Sequence, residues 1–382
     1  MKVILNRTIF LCITLFLSVG AFSQNAFENG IKDVMKEYKT VGLAVVVVKD
    51  NKIIFEESYG YKDKENKIPL ENGDLFRIAS ISKSFTATSL MQLVEKGILS
   101  LEDDVSDLIG FPVRNPKYPD TPITLKMILS HTSSLNDSQK YSSLDIINPQ
   151  ENATWEKSYS AYKPGSNYRY CNLNYNLAGS ILEKATNTRF DTYVVQNILN
   201  PLGLYGGYDV DSLDESKFVK LYRYNTKTEG YNYSPAAYRS ATEKKKNYKI
   251  GYSAPIFSPT GGMKISSKDL AKYMIMHMNY GKYKDKVIIH EESSKLMQSA
   301  ISQASESAFY GLGIRIPEDF LKGRVLTGHT GSAYGLFSAM FFDPEEKFGF
   351  VIITNGSKRI KVGNYNSLLR PTVELLYHTF IE

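Results

Sequence analysis

In the segment Phe76-Arg-Ile-Ala-Ser80-Ile-Ser-Lys83-Ser-Phe-Thr-Ala87, a serine and a lysine stand one helical turn apart at the start of a helical pattern. Side chains three apart on a helix are neighbours, and a helix N-terminus favours the anion formed when a serine attacks a carbonyl. That is the spacing of a nucleophile and its base, as in the Ser-x-x-Lys signature of acyl-transfer enzymes. Apolar residues Phe85, Ala87, Leu90, Met91 and Val94 follow at the three-and-four spacing of a helix with one buried face, and Gly97 stops it. A second copy, Ser160-Ala-Tyr-Lys163, precedes Pro164. Proline disfavours helix in the residue before it, so Lys163 is not expected to lie over Ser160.

Two further constellations share the chain with Ser80. The stretch Tyr170-Cys-Asn172 precedes an apolar helical pattern, and Gly328-His329-Thr330-Gly331-Ser332 interrupts a strand pattern. In this order and spacing the three motifs resemble the class C β-lactamase and DD-peptidase superfamily of serine hydrolases, which also holds esterases and D-aminopeptidases. Similar landmarks run through most of the chain: Leu93-Val-Glu-Lys-Gly97, Ile123 to Ser133, Pro201-Leu-Gly203, Pro259-Thr-Gly-Gly262, Ser267-Lys-Asp269 and Tyr310-Gly-Leu-Gly313. The resemblance implies an α/β (α+β) fold of the β-lactamase and transpeptidase type, with an antiparallel sheet flanked by helices and an inserted, mostly helical subdomain.

Acyl transfer needs a nucleophile, a proton relay and an oxyanion hole. Ser80 is the candidate nucleophile, and burial would disfavour the charged form of Lys83 so that it can take the Ser80 proton. The resemblance makes Tyr170 the partner of Lys83, with a phenol drawn down by neighbouring cations. It also makes Asn172 the residue that holds Lys83 and a substrate amide, His329-Thr330-Gly331 the strand edge that meets a substrate carboxylate, and the backbone N–H groups of Ser80 and Ser332 the oxyanion hole. β-Lactamases carry Lys where His329 stands, and a neutral imidazole anchors a carboxylate less firmly. Arg315, in a segment that resembles His-bearing DD-carboxypeptidases, is either the missing carboxylate anchor or a solvated strand-end arginine. Ser134 replaces a glycine usual in the family, a loop change. His131 is expected to be structural.

These residues need a scaffold. Gly42 to Val48 and Lys52 to Ser58 flank a tight turn, Phe337 to Phe342 and Phe348 to Thr354 repeat the pattern, and Ser367 to Ile381 reads as a closing helix. The two ends of the chain are expected to share one antiparallel sheet. The sheet part would cover about 24–99 and 255–382, and a helical part about 100–254. Ser100-Leu-Glu-Asp103 looks like a capping box. The tyrosine-rich stretch from Tyr205 to Tyr252 is either a poorly ordered insertion or a rim of the site.

Lys2 and Arg7 precede an apolar run from Ile9 to Val19 and a small-residue exit at Ala21-Phe-Ser23. That pattern predicts a cleavable export signal over residues 1–23, too short in its apolar core to span a membrane, and a secreted or periplasmic protein. Cleavage would lower the formal charge from +6 to about +4 and leave Cys171 without a partner for an intrachain disulfide. Lys244-Lys-Lys246 is expected to be a solvated run. The histidines show no metal-ligand spacing and nothing resembles a nucleic-acid module, so the expectation is a hydrolase without cofactor or metal. It would act on a small molecule or a peptide of cell-wall type, with β-lactam hydrolysis or plain carboxylesterase activity as alternatives.

Overall fold

Four consecutive valines, Val45 to Val48, are all fully buried, which a strand allows only when both faces of its sheet are covered. A computed structural model describes residues 26–318, 320–362, 365–366 and 368–382; the expected export signal lies outside them. Nine strands form one sheet: β1 (Gly42–Lys49), β2 (Lys52–Asp63), β3 (Ile68–Pro69), β4 (Ser302–Ser305), β5 (Ala308–Tyr310), β6 (Arg315–Pro317), β7 (Thr327–Ala333), β8 (Leu336–Asp343) and β9 (Phe348–Thr354). Their spatial order is β4-β5-β6-β7-β8-β9-β1-β2-β3, every neighbour antiparallel. The first and last parts of the chain meet where β1 pairs with β9, Val45 opposite Ile352.

On one face Leu43, Val45, Val47, Phe341, Phe350 and Ile352 pack against Ile31, Val373 and Leu376 from helix α1 (26–37) and helix α5 (Leu369–Phe380). On the other, Val46, Val48, Met340, Val351 and Ile353 join the larger core with helices α2 (Ser82–Glu95), α3 (Asn172–Thr186) and α4 (Ser267–Met278).

Helix α2 departs from the one-sided pattern expected, because it is buried all round from Ser82 to Leu93. Its hydroxyls satisfy themselves inside the core: Ser84 donates to Ile81 O at 2.8 Å, Ser89 to Phe85 O at 2.9 Å and Thr86 to Pro259 O at 2.9 Å. A buried serine bonded to its own helix costs little, so polarity on this helix does not mark a solvent face. The expected capping box at Ser100 is a local turn instead. The helix that follows, Val105–Ile109, is capped by Asp104, which accepts from Ser106 N at 2.9 Å.

The tyrosine-rich segment is ordered. It contains a hairpin of Tyr222–Asn225 with Gly230–Tyr233. Glu183, buried on α3, accepts from Phe190 N and Gly251 N at 2.8 Å each and from Tyr248, and so ties this segment down. Lys244-Lys-Lys246 is not a uniformly solvated run either, since Lys245 bridges Asp209 and Asp211 at 2.7 Å.

Candidate active site

A tight 3-10 turn, Ala79–Ile81, leads into α2 and carries Ser80. Ala79 has φ +48°, a left-handed conformation that costs a non-glycine residue about 1–3 kcal/mol and clusters at functional sites. The turn is pressed against β7. Ser338 donates to Ile78 O at 3.0 Å, and a Cβ on Gly331 would fall 2.3 Å from Ile78 O and 3.2 Å from Ala79 Cβ. Gly331 is thus required by close approach.

Lys83 is fully buried. Its Nζ donates to Ser80 Oγ at 3.2 Å, Asn172 Oδ1 at 2.9 Å and the Thr260 carbonyl at 3.0 Å. All three acceptors are uncharged. Burial therefore dominates and lowers the ammonium to about 7, with the more distant Asp137 and Cys171 pulling upward.

Asn172 opens α3. Its Oδ1 also accepts from Thr260 Oγ1 at 2.9 Å, while its N–H and Nδ2 donate to Asp137 Oδ2 at 2.9 Å each. Asp137 Oδ1 takes Leu173 N at 3.1 Å. One carboxylate from a distant loop thus caps a helix whose own preceding residue supplies no side-chain cap, and fixes the amide that holds Lys83. One N–H of the Asn172 amide is left for a substrate carbonyl.

Tyr170 is 36 % exposed over the residue as a whole, but its hydroxyl end is buried and interacts with Ser80. The expectation that cations draw its phenol down is not met. Burial raises it, outweighing the bond to Ser80 and the charge of Arg315, and Lys83 lies over the ring face, 4.7 Å from its centre. Tyr170 keeps its proton in the resting site, which leaves Lys83 as the group able to accept one near neutrality.

His329 is buried, with Nε2 bonded to Tyr310 Oη at 3.0 Å. Burial, then the charges of Lys83 and Arg315, push it down to about 3, so it is a neutral, oriented ring. Arg315, the partner of Gly328 across β6 and β7, lines the same cavity as Ser80, Tyr170, Asn172, His329, Thr330 and Ser332. Ser332 stands opposite Phe337 on β8.

His131 is buried and neutral, held well below its ordinary value by burial first. Its Nδ1 accepts from Cys171 N at 3.2 Å, so it braces the Tyr170 to Asn172 loop. His131 and Ser134 have φ +60° and +66°, which explains why a glycine would suit position 134. Ser160 lies apart: Arg169 bonds its Oγ at 3.1 Å and no helix contains it.

The sequence reading passed over Asp137, Thr260 and Tyr310 as site residues. Thr260 sits in Pro259-Thr-Gly-Gly262, a visible turn signal, but nothing local marks Asp137.

A family description, Beta-lactamase, matches residues 27–370. The chain belongs to this family. Among curated relatives of this beta-lactamase family member, Protein flp of Staphylococcus aureus (strain N315) is 24% identical over 353 residues, covering 87% of this chain and 63% of that protein. The chain therefore spans under two thirds of that relative's length. Among solved structures, the octameric penicillin-binding protein homologue from Pyrococcus abyssi is 26% identical with a TM-score of 0.71, covering 93% of this chain and 76% of that one. The D-amino acid amidase from Ochrobactrum anthropi SV3 is 20% identical with a TM-score of 0.71, covering 94% and 98%, and shares the fold.

Proposed function

We propose that this beta-lactamase family member is an exported serine hydrolase that forms an acyl-enzyme on Ser80 and acts on D-amino-acid peptides of cell-wall type or on small esters and amides. The observation that carries the reading is the buried Lys83, lowered to about 7, with its Nζ 3.2 Å from Ser80 Oγ. Neutral Lys83 takes the Ser80 proton as Oγ bonds to the substrate carbonyl carbon. The carbonyl oxygen, now an oxyanion, is received by the backbone N–H groups of Ser80 and Ser332. The carbon–leaving-group bond then breaks, and the leaving group takes a proton from Lys83, relayed through the Tyr170 hydroxyl. Water repeats the sequence on the ester of Ser80 and frees the acid. Arg315 supplies the cation that His329 lacks, so a carboxylate on the leaving side would be met there.

A D-amino acid amidase and a penicillin-binding protein homologue among the similar structures support a reading as a hydrolase of D-amino-acid amides or peptides. Mass spectrometry of the protein treated with a fluorophosphonate or a 4-nitrophenyl ester tests the nucleophile: one adduct on Ser80 is expected. Ser80→Ala should lose on the order of 10⁴ to 10⁶ in kcat. Undiminished labelling of that variant, or label on Ser160, would overturn the assignment. N-terminal sequencing of protein recovered outside the cytoplasm tests export, with a new terminus near Gln24 expected.

A further inference from the structure

The cavity that holds Ser80 has a volume of about 860 Å³ and is lined by Arg77, Arg223, Arg239, Lys244, Lys264 and Arg315, and by no aspartate or glutamate among the described residues. The proposed mechanism uses only Arg315. Arg77 and Arg223 meet beyond the far end of β7, and Lys264 stands opposite Arg77. Arg315 pairs with Gly328 at the strand's start, the nucleophile turn rests on Gly331 in its middle, and beyond its end the ring of Tyr334 lies under Arg77 at 5.0 Å and Arg223 at 5.7 Å. Six residues of strand span about 20 Å. Ser80 thus stands between two cationic poles.

The second pole is built at a cost. Arg77 and Lys264 are direct partners across the short strands Phe76–Arg77 and Lys264–Ile265, and like charges placed opposite destabilise a sheet. Lys264 is 4 % exposed and donates to the Tyr208 carbonyl at 2.7 Å; burial and then the charge of Arg77 press its ammonium well below the ordinary value, so an arriving oxyanion would restore its charge. Arg77 Nε is buried with no hydrogen-bond partner among the described residues, and the other guanidinium nitrogens reach Ala237 O and Ser258 Oγ only at 3.5 Å, the limit of a useful bond. Asp209 and Asp211 favour the charged form of Lys264 without offsetting its burial, because their ion pairs are with Arg189 and Lys245. Buried charges without a counter-ion are expensive, and an arginine fork with unmet donors suits an oxyanion.

We infer that this pole is an acyl-side subsite for an oxyanion, a carboxylate or phosphonate-type group carried by the acyl part of the substrate about 10 Å along β7 from the scissile carbonyl. The inference rests on the acyl-enzyme reading and narrows it to substrates that are anionic on the acyl side. Arg77 and Lys264 receive the group, and Arg223, Arg239 and Lys244 draw it in.

The test compares mono-4-nitrophenyl esters of adipate and pimelate with their methyl-capped neutral counterparts, with 4-nitrophenyl 6-aminohexanoate, and with an ω-phosphonoalkanoate ester. An order of anion, neutral, cation in kcat/KM is expected, with at least a tenfold step for the anion, and the better of the two oxyanions identifies the group. Arg77→Gln, or the exposed Arg223→Gln should the first fail to fold, should remove most of that step and leave the neutral ester unchanged. Equal kcat/KM for anionic and neutral esters, with Ser80-dependent turnover intact, overturns the inference alone. Absence of Ser80-dependent turnover on any ester overturns the acyl-enzyme reading; the subsite is then decided by calorimetric binding of pimelate. Binding weakened in Arg223→Gln supports it, and no binding overturns it.

Discussion

Lys83 and Asp137 divide one task. Lys83 must be neutral to accept a proton, and its three uncharged acceptors in a buried setting bring that about. The sign follows: below about 7 Lys83 holds its proton and cannot act as base, so kcat/KM for a neutral ester should rise through that region. No falling limb from Tyr170 is expected below pH 10, since its phenol is raised. A pH–rate profile checks this, and a limb near 4 would point to a carboxylate base instead. Asp137 raises Lys83, so Asp137→Asn should move the acid limb to lower pH. It should also lower kcat, because Asn172 loses its positioning carboxylate. A fall in kcat with an unmoved limb would make Asp137 merely a helix cap. Ser80, Lys83, Tyr170 and Asn172 were legible because each sits in a short motif. Asp137 was not, because its role exists only once the fold brings it to α3, 35 residues on.

Between residue and molecule, the decisive contact is the nucleophile turn against β7. Gly331→Ala would place a Cβ 2.3 Å from both Ile78 O and Ser338 Oγ, neither the free end of a flexible chain. The turn and the strand must part, at about 1–3 kcal/mol, and the oxyanion donors part with them. Activity should therefore fall far more than thermal stability does. Gly230→Ala, whose Cβ would meet nothing closer than 3.5 Å, is the control expected to change neither, and an active Gly331→Ala enzyme would show that the close approach is dispensable. The hairpins near both ends of the chain, β1 with β2 and β8 with β9, were legible from apolar runs around tight turns. The all-round burial of α2 was hidden by serines and threonines that bond to backbone carbonyls, and the hairpin at Tyr222–Asn225 by a run of tyrosines without clear period.

Across the whole molecule, three imidazoles are buried and neutral: His131, His277 and His329. His131 was expected to be structural and His329 to meet a substrate carboxylate; together with His277 they set how the fold responds to acid. Each has a folded-state value below the ordinary 6.5, about 3 for His277 and His329, so the unfolded chain binds protons first and stability is lost as pH falls from about 6.5 towards 3. At pH 4.5 His277 and His329 each cost roughly 3 kcal/mol, so the two together reach the lower end of the 5–15 kcal/mol that holds a typical domain, and His131 acts in the same direction. Asp63 and Asp211, held near 2 by lysine partners and hydrogen bonds against their burial, contribute only below about 4, and Lys83 exacts its cost evenly at every pH under about 7. Acid unfolding followed by circular dichroism should therefore centre near pH 4–5. His277→Leu isolates one imidazole, because Thr88 Oγ1 and Tyr273 Oη remain bonded to each other at 3.0 Å without it. That variant should unfold at lower pH and take up about one proton fewer in the transition. An unchanged proton count would mean that His277 already titrates normally in the folded protein.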